Sequence, residues 1–190
     1  MSKIRMGFAL CGSFCTFTQI LPIVAQCVQA GYQVTPIMSE ISYNTDTRFG
    51  KAEYFRNQLE EITGSPIIHT IVQAEPIGPS ALLDILVVAP CTGNTLGKLC
   101  NGISDTSVTL AVKAHLRNQR PVVLGVSSND ALSNSAKNVG QLLNHKHVYF
   151  VPMRQDAPEQ KPRSIVADFS LVLQTAEHAL RAAQLQPIYL

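Results

Sequence analysis

Apolar runs of four to eight residues alternate along the chain with segments whose apolar residues recur every three or four positions. Runs of that length are typical of buried strands, and the three-to-four spacing predicts amphipathic helices. Strands are predicted at residues 4–11, 33–38, 66–71, 85–89, 122–126 and 148–151. Helices are predicted at residues 17–30, 52–62, 96–112 with a break near Gly102, 135–143 and 169–183. Strands alternating with helices favour a Rossmann-like α/β fold, a three-layer sandwich with a central parallel sheet.

Length and composition fit one domain of this kind. The chain has 190 residues, of which 46% are hydrophobic, enough for one well-buried core and too few for two. We therefore expect a single domain over residues 1–190. The polar, proline-bearing stretch 155–163 is interpreted as a loop before the last helix, because no second apolar core follows it.

The strand predicted at residues 85–89 leads into small hydrogen-bonding residues, Thr92, Gly93, Asn94 and Thr95. Open α/β sheets bind ligands at the carboxyl ends of their strands, and the N–H groups of a following helix favour anions. These four residues are therefore predicted to contact a ligand. The alternative is an ordinary turn built from turn-forming residues.

A second candidate loop follows the first predicted strand and contains Gly12, Ser13 and Thr16. The glycine permits a tight turn, and the hydroxyls could hold a phosphate at the start of the next helix, although a simple helix cap is the alternative. Neither the dinucleotide fingerprint nor the nucleoside triphosphate loop is present in the sequence. In a Rossmann-like order the first and fourth predicted strands are neighbours, which places Gly12 and Ser13 beside Thr92.

The second predicted strand ends at Ser39 and Glu40. An acidic residue here could hold a ribose hydroxyl, as in dinucleotide sites, whereas a serine could contact a terminal phosphate. Ser39 fits a mononucleotide better, and a helix cap or turn is its structural alternative.

Two later loops carry further polar candidates. Ser104 and Asp105 follow the break at Gly102, where either is predicted to cap the next helix and to lie near the crevice. Asn129 belongs to the polar stretch 125–134 after the fifth predicted strand, which is either a solvated turn or a wall of the pocket.

His69 is the one histidine inside an otherwise apolar run. Such a residue is usually structural, but it is kept as a candidate proton donor or acceptor. The other histidines lie in polar or amphipathic stretches and are expected at the surface: His115, His145, His147 and His178.

Charge and cysteine content narrow the classes of partner. The net charge is +2 without a basic run, so no nucleic-acid surface is expected. The apolar stretch 6–11 is too short for a secretion signal or a membrane span, which predicts a cytoplasmic protein without membrane contact. The five cysteines have no zinc-site or disulfide-framework spacing, so free thiols and no metal site are expected.

Residues 90–95 (Pro-Cys-Thr-Gly-Asn-Thr) and 101–105 (Asn-Gly-Ile-Ser-Asp) resemble the Pro-Ala-Ser-Ala-Asn-Thr and Asn-Gly-Ile-x-Asp segments of the flavoprotein family. The resemblance covers residues 4–151 and implies a homo-oligomer that binds flavin mononucleotide (FMN). It assigns Gly12 and Ser13 to the phosphate loop, Ser39 to a second phosphate contact and Asn94 to the flavin ring. His69 falls where decarboxylases of this family keep a histidine. The predicted cofactor contacts are Gly12, Ser13, Ser39, Thr92, Gly93, Asn94, Thr95, Ser104, Asp105 and Asn129, with catalytic roles for His69 and Asn94.

The stretch after the fifth predicted strand departs from the decarboxylases of that family. Those enzymes have Pro-Ala-Met-Asn-x-x-Met-Trp, and the matching residues 126–133 retain only Asn129, which argues against cysteine decarboxylation. Residues 125–141 and the tail 148–164 instead resemble one subunit of a two-subunit oxidoreductase. That resemblance implies a Rossmann-type partner carrying NAD or NADP, a small dicarboxylate substrate and a sporulating bacterium. The alternatives are a non-catalytic partner with a vestigial flavin fold, or a stand-alone FMN-dependent decarboxylase or prenyltransferase.

Overall fold

Seven strands form one mostly parallel sheet in the computed structural model, which describes residues 3–190. The strands are β1 (Arg5–Leu10), β2 (Gln33–Met38), β3 (Ile85–Cys91), β4 (Val122–Ser128), β5 (Val148–Phe150), β6 (Met153–Gln155) and β7 (Ile165–Ala167). The order is β2-β1-β3-β4-β7-β6, and β5 also pairs with β4. Strands β1 to β5 pair with one another in parallel, whereas β7 is antiparallel to both β4 and β6.

Helices flank the sheet, as the alternating pattern predicts. They are α1 (Phe17–Gln29), α2 (Glu40–Asn44), α3 (Ala52–Thr63), α4 (Ile71–Ala74), α5 (Gly93–Cys100), α6 (Ser107–Arg117), α7 (Ala136–Leu143) and α8 (Val172–Leu180). Helix α1 contacts α3 and α8, and α5 contacts α6 and α7. Every residue of β3 is buried, as expected for a central parallel strand covered on both faces. The Rossmann-like α/β prediction is confirmed.

The strand predicted at residues 66–71 is wrong. Only Ile68 pairs there, in an isolated parallel bridge to Ile37. Pro66 has no N–H to donate, and the Thr70 side chain accepts the N–H of Gln73 and starts α4 through a reciprocal capping box. The helix start at Thr70 therefore prevents a strand from forming over these residues.

The hairpin of β6 and β7 is absent from the sequence prediction, which treats residues 155–163 as a plain loop. Each of its strands has three residues, too few to show an alternating pattern. Pairing of Ser127 with Val166 and of Ser128 with Ile165 attaches the hairpin to the end of β4. The polar stretch is consequently the turn of a hairpin.

The predicted break between two helices near Gly102 is confirmed, but the predicted cap is wrong. Thr106 is the N-cap of α6, with a reciprocal capping box to Thr109. Ser104 and Asp105 lie before the cap. Gly102 has a φ of 68°, a left-handed conformation that glycine adopts without strain.

The expectation that His115 lies at the surface is also wrong. His115 is fully buried, and its Nε2 lies 3.1 Å from the carbonyl oxygen of Pro121. Burial lowers the pKa of this histidine from 6.5 to about 4, because the charged form loses its hydration. His115 is therefore a neutral core residue that joins α6 to the segment before β4. No helix within residues 3–190 has the length and apolar character needed to cross a membrane.

Candidate functional site

The loops after β1 and β3 meet at one edge of the sheet. The two strands are parallel neighbours, with Met6 opposite Ile85 and Ala9 opposite Val88. The N–H of Cys11 donates to the carbonyl oxygen of Pro90 over 3.2 Å, which joins the loops directly. The predicted adjacency of these strands is confirmed, and a crevice opens at their carboxyl ends.

Two cavities occupy this crevice. The β2-side cavity has a volume of about 720 Å³ and includes Ser39 and Glu40 in its wall. The hairpin-side cavity has a volume of about 1080 Å³ and includes Ser127, Asp156 and Lys161. Both volumes are of the order found for small-molecule sites. The residues that line both cavities are Gly12, Phe14, Thr92, Asn94 and Lys98.

Hydroxyl groups line the β2-side cavity at the starts of two helices. Ser39 is the N-cap of α2, and its Oγ lies 2.8 Å from the Oγ of Ser42. Thr92 is the N-cap of α5, and its Oγ1 lies 3.1 Å from the Oγ1 of Thr95. Hydroxyls and helix N-terminal N–H groups are suited to an anion such as a phosphate. The cavity therefore holds donors on both the β2 and the β3 side.

Gly12 lines both cavities. A Cβ at this position would be in ordinary van der Waals contact, 3.6 Å from the Cγ2 of Ile41 and 3.6 Å from the Cε2 of Phe14, and the φ of Gly12 is not in the left-handed region. Neither packing nor backbone conformation therefore requires glycine here. The missing side chain instead leaves room for a ligand to approach the backbone of the loop.

Ser13 and Thr16 do not serve as helix caps through their side chains. The Oγ of Ser13 lies 2.8 Å from the Oγ of Ser127, and the hydroxyl of Thr16 donates to the carbonyl oxygen of Ser13 over 2.8 Å. Ser13 lines the hairpin-side cavity and is not in the wall that contains Ser39. The structure thus separates the two serines that sequence reasoning groups around one phosphate.

Glu40 shares the β2-side cavity with Ser39. Its Oε1 accepts the N–H of Ser107, at the start of α6, over 2.9 Å. Its Oε2 is buried, and no described residue provides it with a hydrogen bond. Ser39 and Glu40, the two alternative ligand contacts at the end of β2, therefore both line the cavity.

Lys98 is a wall residue that the sequence prediction missed. It lies one helical turn after Asn94 on α5, and a spacing of four residues on a helix is the signal that could have found it. Its Nζ donates to the Oδ1 of Asp105 over 2.8 Å, and this hydrogen bond lowers the pKa of Asp105. Asp105 thus lines the β2-side cavity as an ion-pair partner, whereas Ser104 lines neither cavity and accepts a hydrogen bond from Lys113.

The loop after β4 forms the far wall of the hairpin-side cavity. Asn129 is exposed and lines this cavity. The hydroxyl of Ser128 donates to the Oδ1 of Asp130 over 2.5 Å. A Cβ on Gly93 would lie 2.6–2.8 Å from side-chain atoms of Ser128, Asp130 and Ser135. Gly93 is therefore needed for the close approach of α5 to this loop.

His69 lies outside the walls of both cavities. Its ring stacks on Tyr43 with a centroid separation of 3.7 Å, and its Nδ1 lies 3.2 Å from the carbonyl oxygen of Ile67. A carbonyl oxygen accepts hydrogen bonds, so Nδ1 carries the proton and Nε2 is left as an acceptor. Within one chain, the structure does not bring His69 to Asn94.

Cys11, just after β1, and Cys91, at the end of β3, are buried thiols rather than activated nucleophiles, whereas Cys15 is exposed and lines the hairpin-side cavity. Burial raises the pKa of Cys11 to about 11 and raises that of Cys91 well above its usual value. Thiols with raised pKa values are poor nucleophiles because the thiolate is scarce. All five cysteines are free, and residues 3–190 contain no cluster of three His, Cys, Asp or Glu side chains suited to a metal ion.

Comparisons with known proteins agree with this architecture. The chain is 45% identical to the B-type subunit of dipicolinate synthase from Bacillus subtilis (strain 168) over 184 residues, which is 97% of this chain and 92% of the relative. A crystal structure of the corresponding dipicolinate synthase subunit from Bacillus halodurans superimposes with a TM-score of 0.91 at 41% identity, covering 100% of this chain and 98% of the other.

A more distant structure shares the fold. The FMN-dependent cysteine decarboxylase SpaF gives a TM-score of 0.67 at 22% identity, covering 94% of this chain and 97% of the other. The family model described as Flavoprotein matches residues 1–169. The chain therefore belongs to the flavoprotein family.

Proposed function

We propose that this protein is the B-type subunit of a dipicolinate synthase, which oxidises dihydrodipicolinate to dipicolinate together with an A-type subunit. The observation that carries the proposal is the 45% identity over 97% of the chain to a protein of that name, combined with the crevice at the carboxyl ends of β1 and β3. The setting that follows from the proposal is the cytoplasm of the mother cell in a sporulating bacterium.

The β2-side cavity supports the binding of FMN. Gly12 has no side chain and lines the cavity, and the hydroxyls of Ser39 and Thr92 lie at helix starts where a phosphate is favoured. Asn94, in the first turn of α5, lines both cavities and is assigned to the flavin ring. When bound, a flavin supplies a planar two-electron acceptor. The residues of this chain would fix its position beside the hairpin-side cavity.

The oxidation needs a second subunit. Aromatisation of the dihydropyridine ring removes a hydride and a proton, and we assign the role of final two-electron acceptor to NAD or NADP on the A-type subunit. This chain contains neither the glycine fingerprint for a dinucleotide nor a nucleoside triphosphate loop. The crevice of this subunit would then hold the small dicarboxylate substrate.

A homo-oligomer forms part of the same proposal. Ile71 and Ile103 are exposed apolar side chains that lie in or next to the walls of the crevice. A second copy that packed against residues 96–116 would cover Ile103 and close the crevice from outside. Sedimentation velocity at micromolar concentration should show an assembly, and a compact monomer would contradict this part of the proposal.

The catalytic proposal is tested with the reconstituted pair of subunits in a steady-state assay of dihydrodipicolinate oxidation. The chain alone should be nearly inactive, and the A-type subunit should restore turnover. Asn94→Ala should weaken FMN binding, measured by flavin fluorescence, by about tenfold, the loss expected for one hydrogen bond. Asn144→Ala, at the exposed end of α7, is the control.

His69→Ala should lower turnover only if the imidazole transfers a proton in the assembled complex. Unchanged activity in both the Asn94 and the His69 variants would overturn the catalytic role. That outcome would leave a non-catalytic partner that retains the fold.

A further inference from the structure

The β6–β7 hairpin carries a lysine to the crevice. Because β7 pairs with Ser127 and Ser128 at the carboxyl end of β4, the hairpin turn lies over the hairpin-side cavity. The backbone N–H of Leu132 also donates to the carbonyl oxygen of Arg163 over 3.0 Å. The hairpin is therefore fixed to β4 through β7 and to the loop after β4 through Arg163, just before β7, and Lys161 in its turn lines the cavity.

Asp156 holds Lys161 in place. The Nζ of Lys161 donates to the Oδ2 of Asp156 over 3.0 Å, and the hydroxyl of Ser164 donates to the Oδ1 of the same carboxylate. Burial acts to raise the pKa of Asp156, but these two hydrogen bonds leave it lowered. The carboxylate stays charged and uses one oxygen for each partner.

Lys161 keeps hydrogen-bonding capacity after this contact. An ammonium has three N–H donors, and within residues 3–190 only the bond to Asp156 engages the Nζ. The side chain is 54% exposed, so a ligand in the cavity can reach it. The hydrogen bond to Asp156 raises the pKa of Lys161, which keeps the ammonium charged.

The structure distinguishes Lys161 from the other cations of the later segments. Arg154 pairs with the Oδ2 of Asp168 over 3.2 Å, and neither Lys137 nor Arg163 lines the crevice. Among the described residues, Lys98 and Lys161 are the basic side chains in the wall of the hairpin-side cavity. Lys98 lies on α5, where it pairs with Asp105.

We propose that Lys161 is a specificity-determining residue that receives one carboxylate of a small planar dicarboxylate in the hairpin-side cavity, with Asp156 as its positioning residue. The inference rests on the proposed function for the class of substrate. It assigns recognition of that substrate to the hairpin, the element that local sequence pattern did not predict. A carboxylate that approached Lys161 would gain a charge-assisted hydrogen bond without displacing Asp156.

Isothermal titration calorimetry of the purified chain and of its complex with the A-type subunit tests this assignment. The probes are dipicolinate and the monocarboxylate picolinate, in buffer freed of divalent cations, which dipicolinate chelates. Lys161→Gln should weaken dipicolinate binding about tenfold or more, the size expected for one charge-assisted hydrogen bond. Lys161→Arg should retain most of the affinity, and Lys137→Gln on the exposed side of α7 should match the natural protein.

The preference for dipicolinate over picolinate provides the specific readout. It should fall in Lys161→Gln and persist in Lys161→Arg, because the second carboxylate needs the positive charge. Equal dipicolinate affinity in the natural and Lys161→Gln proteins, or no dipicolinate binding in the natural complex, would overturn the inference. A separate FMN fluorescence titration distinguishes the two proposals: Lys161-dependent dipicolinate binding without FMN binding would reject the flavin role alone.

Discussion

Replacing Gly93 by alanine tests whether the crevice depends on close packing between α5 and the loop after β4. The added Cβ would lie 2.6 Å from the Oγ of Ser128, 2.7 Å from the Oδ1 of Asp130 and 2.8 Å from the Oγ of Ser135. All three separations are below van der Waals contact. Ser128 and Asp130 are coupled, because the hydroxyl of Ser128 donates to the Oδ1 of Asp130, and the backbone N–H of Ser135 donates to the carbonyl oxygen of Asp130.

The expected loss of folding stability follows from the cost of overpacking. Forcing an extra methyl into a well-packed site costs about 1–3 kcal/mol. For a chain of this size, each kcal/mol corresponds to roughly 2–4 °C, so the unfolding temperature should fall by about 2–12 °C. The shift should be accompanied by weaker FMN binding, since Gly93 lies between Thr92 and Asn94, which line the β2-side cavity as well.

Gly97→Ala is the matched control on the same helix. A Cβ at this position would meet only the Nδ2 of Asn138, at 3.5 Å, which is an ordinary contact. Alanine is favoured over glycine inside a helix by up to about 1 kcal/mol, so this variant should be as stable as the natural protein or more so. Calorimetry of the three proteins at one fixed concentration makes the comparison. If Gly93→Ala unfolds at the same temperature as the natural protein and binds FMN with the same affinity, close packing at Gly93 is refuted.

Two pH-dependent predictions follow from named side chains. Because burial lowers the pKa of His115 from 6.5 to about 4, the unfolded chain takes up this proton first on acidification. The free energy of unfolding should thus fall between pH 6.5 and pH 4 by up to about 3 kcal/mol, at 1.36 kcal/mol per pKa unit. His115→Gln should lack that component in urea denaturation across pH, and identical pH slopes would contradict the assignment. Hydrogen bonds from Arg5 lower the pKa of Asp84 in the folded protein. The ion pair therefore stabilises the fold fully above the unfolded pKa of about 3.9, and this stabilisation is lost as the pH falls through the lower pKa of the folded state. Asp84→Asn should lower stability by about 1 kcal/mol or less at pH 7, with the difference vanishing in acid; a difference that persisted there would exclude the ion pair as its cause.

The amino-acid sequence by itself determined the alternating fold and the position of the crevice. Apolar runs and helical spacing are local signals, and small polar residues at the ends of β1 and β3 follow directly from them. Thr92 and Gly12 could therefore be predicted at the carboxyl ends of neighbouring strands. The glycines that end α1 and α3, Gly31 and Gly64, are equally local, since each has a positive φ that favours glycine.

Only the tertiary structure decided which side chains meet in the crevice. The three-residue strands of the hairpin have no periodicity of their own, so their pairing with β4, and with it the position of Lys161, depends on contacts distant in sequence. The same holds for His115, whose burial is set by the packing of α6, and for His69, whose ring stacks on Tyr43 instead of reaching Asn94. Local pattern specifies elements and their ends, whereas the neighbours of a side chain are specified by how those elements pack.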